Sequence, residues 1–183
     1  MPRRSCWVRS PAAGGQVGTA GPGGAGRGAA AGSGGWPLEG GSAILPRMNA
    51  LIIGCSDGRV TARLDALLAE AGAPDANRLL VPGGPLPLTR PGTERRATLE
   101  YVREIVDVHD VRVIFLVAHQ ECTAYQRALG GLGFDQQELL ERDLRRVKTL
   151  LETTFPGVDV RSYVIPWRED GDGAGYGPAA AVD

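Results

Sequence analysis

The sequence predicts an α/β domain: a four-stranded, mostly parallel sheet of order 2-1-3-4, flanked by helices in three layers. Two observations carry this. Apolar runs of strand length alternate with segments whose apolar residues recur every three or four positions. The segments between strands are long enough for crossover helices, which implies parallel pairing with right-handed connections. The strongest runs are apolar throughout rather than alternating, as strands covered on both faces require.

The first strand spans residues 49–54 and carries Leu51, Ile52 and Ile53. A helix over 61–71 follows, with Leu64, Leu67, Leu68 and Ala71 on one face and Gly72 as its C-terminal cap. Residues 78–81 make a short second strand, ending in Pro82-Gly83-Gly84-Pro85-Leu86-Pro87, which reads as loop. A second helix over 94–108 is expected to bury Leu99, Val102, Ile105 and Val106. Residues 111–118 are uniformly apolar and rich in β-branched side chains, so this strand belongs at the sheet centre. A short helix at 123–129 is closed by Gly130-Gly131. A long helix over 136–153 lines up Leu140, Leu144, Val147 and Leu151, and a last strand runs over 158–165.

The ends differ in composition. Residues 1–47 are Gly, Ala, Pro, Ser and Arg with few large apolar side chains, so they cannot offset the entropy of ordering. They read as a disordered extension, mis-called or dispensable, with Met48 as the expected true start of the protein and 48–166 as the domain itself. Residues 167–183 return to Gly, Ala and Asp and read as a flexible tail.

With 183 residues and a formal net charge of −1, the chain implies neither a nucleic-acid nor a membrane-surface partner. The charge is uneven: residues 1–47 hold five Arg and one acid, the remainder 15 basic and 20 acidic residues. Three cysteines, Cys6, Cys55 and Cys122, do not make a disulfide framework and suit a reducing, cytoplasmic compartment. No apolar run approaches the ~18 residues that span a bilayer.

The chemistry concentrates at two strand ends. Cys55-x-Asp57-x-Arg59 follows the first strand, and His119-x-x-Cys122 follows the third. In open α/β sheets ligands gather beyond the carboxyl ends of strands. Alone, Cys55 reads as a buried thiol, Asp57-Gly58 as a capped turn and His119 as an ordinary strand-end residue. Together, two thiolates and an imidazole are a natural Zn²⁺ set with a fourth position open, the pattern of a catalytic site. Arg59 can hold the Asp57 carboxylate in a bidentate pair. Released, Asp57 is the alternative fourth ligand, and a third anion would leave the metal too little positive charge to acidify water. Tyr125 reads either as closing the pocket or as core, and Leu86 either as an apolar pocket wall or as packing beneath the loop.

The pairing C-x-D-x-R … H-x-x-C resembles the β-class carbonic anhydrases over Met48 to about Pro166. The resemblance implies Zn²⁺ on Cys55, His119 and Cys122, an Asp57–Arg59 dyad, and reversible hydration of carbon dioxide to bicarbonate through zinc-bound hydroxide. It also implies a homodimer. The chain departs from the family at Val81-Pro82-Gly83-Gly84-Pro85, where the family has Arg-Asn-Ala-Gly-Asn, and at Thr123, where Gly is common. Two alternatives accompany this expectation: a zinc hydrolase acting on another small electrophile such as CS₂ or COS, and a non-catalytic zinc-binding domain.

Overall fold

The computed structural model describes residues 49–130, 135–170 and 173–183. The extension 1–47, with Cys6 and the expected start at Met48, lies outside the described residues, as does Gly131. In chain order the elements are β1 (Ala50–Cys55), one 3₁₀ turn (Gly58–Val60), α1 (Thr61–Glu70), β2 (Asn77–Val81), α2 (Leu86–Thr89), α3 (Thr93–His109) and β3 (Val113–His119). There follow α4 (Thr123–Leu129), α5 (Gln136–Thr154), β4 (Asp159–Ile165), β5 (Trp167–Asp170), β6 (Gly173–Tyr176) and β7 (Ala180–Val182).

The central sheet has the order β2-β1-β3-β4-β7, parallel except for β7, and β5 and β6 form a separate antiparallel hairpin. The expected order 2-1-3-4 is therefore present, with one strand added. β3 is the middle strand, and both β1 and β3 are buried along their whole length. In register, Ile53 of β1 lies opposite Leu116 of β3, and Cys55 opposite Val81 of β2. Both motif-bearing strand ends thus lie at the same edge of the sheet.

Helix α1 buries Leu64, Leu67 and Leu68 and ends as expected at Gly72, whose φ is +72°. The Ala73 N–H donates to the Leu68 carbonyl and the Gly72 N–H to the Ala69 carbonyl, closing the helix end. Helix α5 is capped by Asp135, whose carboxylate accepts from the Gln137 N–H at 2.8 Å. Its Leu140, Leu144, Val147 and Leu151 are all fully buried, and such a side chain contributes about 2 kcal/mol relative to exposure.

Three expectations are corrected. Residues 167–183 are not a structureless tail: β5, β6 and β7 lie within them, and β7 pairs with the free edge of β4. The composition is small and polar, yet Trp167 and Tyr176 supply aromatic surface to pack, and an open sheet edge offers hydrogen bonds to a passing chain. Second, the segment read as loop at 82–87 is turn over 82–85 as expected but enters α2 at Leu86, a single helical turn with Leu88 fully buried and the Thr89 hydroxyl donating to the Leu86 carbonyl at 2.8 Å. Third, α3 fully buries only Thr98 and Val102. Leu99, Ile105 and Val106 are only partly covered, and Tyr101 and Val108 are exposed.

Gly84 shows why the loop after β2 needs glycine. Its φ is +57°, and a Cβ there would lie 2.7 Å from the Val117 carbonyl oxygen and 3.2 Å from the Cys55 backbone nitrogen. Gly84→Ala is expected to destabilise the fold by roughly 2 kcal/mol or more, from the left-handed conformation and the backbone clash together. Urea denaturation checks this, and a wild-type midpoint would contradict it.

Asp143 on α5 is buried, with the Arg142 Nε 3.8 Å away. Burial raises its carboxyl above the usual carboxylate range, against the opposing pull of Arg142, Arg146 and Arg90. Above the ordinary carboxylate pKa and below the raised one, the folded chain holds a proton the unfolded chain has lost, so stability falls as pH rises. Asp143→Asn is therefore expected to gain melting temperature relative to wild type as pH rises above the ordinary carboxylate range. The opposite trend across a pH series would show that the surrounding arginines outweigh burial.

Candidate metal centre

β1 ends in Cys55 and β3 in His119, and the two strands are parallel neighbours. After His119 the chain must reverse within two residues to bring Cys122 back. It does so through Glu121, a non-glycine residue at φ +53°. A left-handed conformation costs about 1 kcal/mol or more at such a residue, and this one is held from several sides. The Gln120 N–H donates to the Ile165 carbonyl at 3.0 Å, the Glu121 N–H to Gln136 Oε1 at 3.1 Å, and Arg59 Nη2 to the Glu121 carbonyl at 3.3 Å. Cys122 then caps α4, where the backbone N–H groups of Ala124 and Tyr125 favour its thiolate.

The three donors converge. The ligand atoms of Cys55, His119 and Cys122 all lie within 4.8 Å of one another, and all three residues are buried. The two Sγ atoms are 3.9 Å apart. Gly83 donates its N–H to Cys55 Sγ at 3.3 Å. The Cys55 thiol is pulled well below the usual thiol range, first by the S–H of Cys122 and then by the N–H groups of Asp57 and Gly83, against its own burial. Cys122 moves the other way, raised by its bond to Cys55 and by burial. Without a metal, the pair thus retains a proton on Cys122, which a divalent cation would displace.

His119 supplies the test of fit. Its Nδ1 lies 2.8 Å from the Gln120 carbonyl and 3.1 Å from the Tyr176 hydroxyl, while its Nε2 is buried with no hydrogen-bond partner. A carbonyl can only accept, so neutral His119 carries its proton on Nδ1 and presents a lone pair at Nε2. A buried, unpaired imidazole nitrogen beside two thiols is costly unless a cation completes it. The donor set fits Zn²⁺.

Asp57 and Arg59 form the second part of the site. Arg59 Nε lies 3.0 Å from Asp57 Oδ1, Arg59 Nη2 lies 2.6 Å from Oδ2, and the Arg59 N–H donates to Oδ1 at 3.0 Å. These bonds hold the Asp57 carboxyl down at about 2, the Arg59 side chain first and its backbone N–H second. Beside this pair opens a cleft of about 270 Å³ whose walls include Cys55, Asp57, Pro82, Cys122, Ala124 and Arg127. The two residues expected to line the pocket are placed elsewhere. Leu86 lines a separate cleft with Pro87, Arg90 and Glu94. Tyr125 is fully buried in the core, its hydroxyl without a partner and its ionisation pushed up chiefly by burial.

Tyr176 is the residue that sequence reasoning missed. It comes from β6 and sits edge-on to His119, with ring centroids 5.3 Å apart and planes at 83°. The available signal was a large aromatic between two glycines, Gly175-Tyr176-Gly177, in an otherwise small-residue segment.

No protein-family model matches the chain. An uncharacterised protein of Rickettsia bellii is 25% identical over 128 residues, covering 66% of this chain and 78% of that protein. Among solved structures, a carbonic anhydrase from Streptococcus mutans overlaps with a TM-score of 0.47 at 17% identity, over 75% of this chain and 83% of the other. The β-carbonic anhydrase isoform I of Trichomonas vaginalis overlaps with a TM-score of 0.48 at 13% identity, over 76% and 84%. The wild-type β-carbonic anhydrase CafD of Aspergillus fumigatus does so with a TM-score of 0.46 at 17% identity, over 73% and 91%.

Metal uptake is the direct check on the donor set. Refolded or reconstituted wild-type protein is expected to hold stoichiometric zinc by elemental analysis, and Cys55→Ser and His119→Ala to lose it. Equal zinc in all three would place the metal elsewhere, and none in wild type would remove the site.

Proposed function

We propose that the chain is a zinc-dependent lyase that catalyses the reversible hydration of carbon dioxide to bicarbonate. The observation that carries this reading is the convergence of Cys55, His119 and Cys122 around an unpaired His119 Nε2, next to a carboxylate held by arginine. Cys55, His119 and Cys122 are the residues that would hold the ion. Bound there, zinc would supply the Lewis acidity that lowers the pKa of water toward neutrality.

The chain's own residues do the rest. Three N–H hydrogens of Arg59 occupy the Asp57 oxygens, out of about four acceptor positions on a carboxylate. The Nε–H is shared between Oδ1 and Oδ2, so either of its branches can give way for Asp57 to accept a hydrogen bond from a reacting water and align it. Because Asp57 is engaged by Arg59, it is kept from acting as a third anionic donor. Pro82 and Ala124 give the cleft small apolar walls, which suit a small linear substrate. Arg127 lines the same cleft and is a cation suited to an anionic product. Carbon dioxide and bicarbonate are the exchanged partners of this reading, a cytoplasmic homodimer its setting, and no helix among the described residues is long and apolar enough to cross a membrane.

Stopped-flow hydration assays on the zinc-loaded protein test the proposal. Activity is expected at alkaline pH in wild type. Asp57→Asn is expected to keep its zinc and lose activity roughly a hundredfold, the scale of a misaligned reacting group. Bound zinc with no hydration at alkaline pH would overturn the lyase reading. Turnover of CS₂ or COS would then identify a hydrolase on the same scaffold, and inertness toward these as well would leave a non-catalytic zinc domain.

A further inference from the structure

The hairpin formed by β5 and β6 packs its aromatic residues onto the metal centre. Trp167 pairs with Tyr176 across the hairpin, and their rings meet edge to face at 4.9 Å. The Gly177 N–H donates to the Pro166 carbonyl at 2.9 Å, and the Trp167 N–H to Gln120 Oε1 at 2.7 Å, so the hairpin is tied to the turn that carries His119. Gln120 continues the tie to α5, donating from Nε2 to Gln137 Oε1 at 2.9 Å.

Tyr176 makes two contacts that no other described residue combines. Its hydroxyl lies 3.1 Å from His119 Nδ1, and its ring lies edge-on against the imidazole. The face of the same ring lies beneath the Arg59 guanidinium, with Cζ 5.7 Å from the centroid. A cation over an aromatic face is attracted by the ring quadrupole. One side chain therefore touches both a metal donor and the arginine that holds Asp57.

We propose that Tyr176 is a positioning residue of the metal centre, aiming His119 Nε2 at the two thiols and bracing Arg59 in its grip on Asp57. The inference rests on the metal reading of Cys55, His119 and Cys122. The hydroxyl accepts a second branch of the Nδ1–H bond whose first branch goes to the Gln120 carbonyl, which fixes the tautomer. The ring blocks rotation of the imidazole about its side-chain bond. Partners of this kind behind a histidine ligand typically change metal affinity by about 10–100-fold when removed.

The test uses the full chain with Tyr176→Phe and Tyr176→Leu. Three measurements are made: zinc affinity by chelator competition, the visible absorption of the Co²⁺-substituted protein, and the imidazole ¹⁵N shifts of His119 in the metal-free protein. Tyr176→Leu is expected to weaken zinc binding by roughly tenfold or more, to alter the Co²⁺ bands, and to move the ¹⁵N shifts toward a mixture of tautomers. Tyr176→Phe keeps the ring and loses the hydroxyl, so it falls between wild type and Tyr176→Leu in all three. If Tyr176→Leu does not fold, Tyr176→Phe decides alone. Wild-type zinc affinity, Co²⁺ bands and ¹⁵N shifts in the folded variants would overturn the role of Tyr176 while leaving the metal site standing. Absence of zinc uptake by wild type would overturn both.

Discussion

The parallel register between β1 and β3 is the constraint on which the site depends. Ala50 faces Val113 and Ile53 faces Leu116, so the two strands run out at the same edge. Side chains alternate along a strand, and a slip of one residue would turn Cys55 to the other face and out of reach of His119. That register is enforced by burial on both faces, where Leu51, Ile52, Ile53, Ile114, Phe115 and Leu116 are all inaccessible. The core therefore does more than stabilise the domain. It fixes the relative height of two donors 64 positions apart in the chain.

Charge explains what surrounds those donors. A buried thiol pair cannot ionise fully without a cation, because desolvation and mutual repulsion both favour a retained proton. The unpaired His119 Nε2 adds a second deficit at the same point. One divalent ion relieves both, whereas a structural role for the three residues in its absence would leave each deficit in place. Asp57 lines the same cleft as Cys55 and Cys122, and Arg59 engages its carboxylate there. Arg59 is itself held, donating to the Glu121 carbonyl and lying over Tyr176. Asp57 is therefore governed by a network reaching from the turn after β1 to the C-terminal hairpin.

Much of this was legible in the sequence, and the rest was hidden for physical reasons. The strands and helices from residue 50 to 165 follow apolar periodicity, which reports burial directly, and the C-x-D-x-R and H-x-x-C spacings place their donors at strand ends. The β5–β6 hairpin and β7 were misread because Gly, Ala and Asp carry little strand preference of their own. Those strands form through tertiary context: β7 completes the edge of β4, and Tyr176 and Trp167 anchor the hairpin. The partial burial of Leu99, Ile105 and Val106 was invisible for a related reason. Periodicity tells which face of α3 is apolar, but not how much of that face the rest of the fold covers.

The loop after β2 joins the structural and chemical arguments. The pair Gly83-Gly84 does its work through the backbone. Gly84 lets the backbone approach the Val117 carbonyl and the start of Cys55 more closely than any side chain would permit. That approach brings the Gly83 N–H within 3.3 Å of Cys55 Sγ, where it supports the thiolate. Pro82, one residue earlier, then forms part of the cleft wall. A site built this way takes its shape from backbone and small side chains, not from large recognition groups. For the proposed reaction that leaves size as the main filter on substrate.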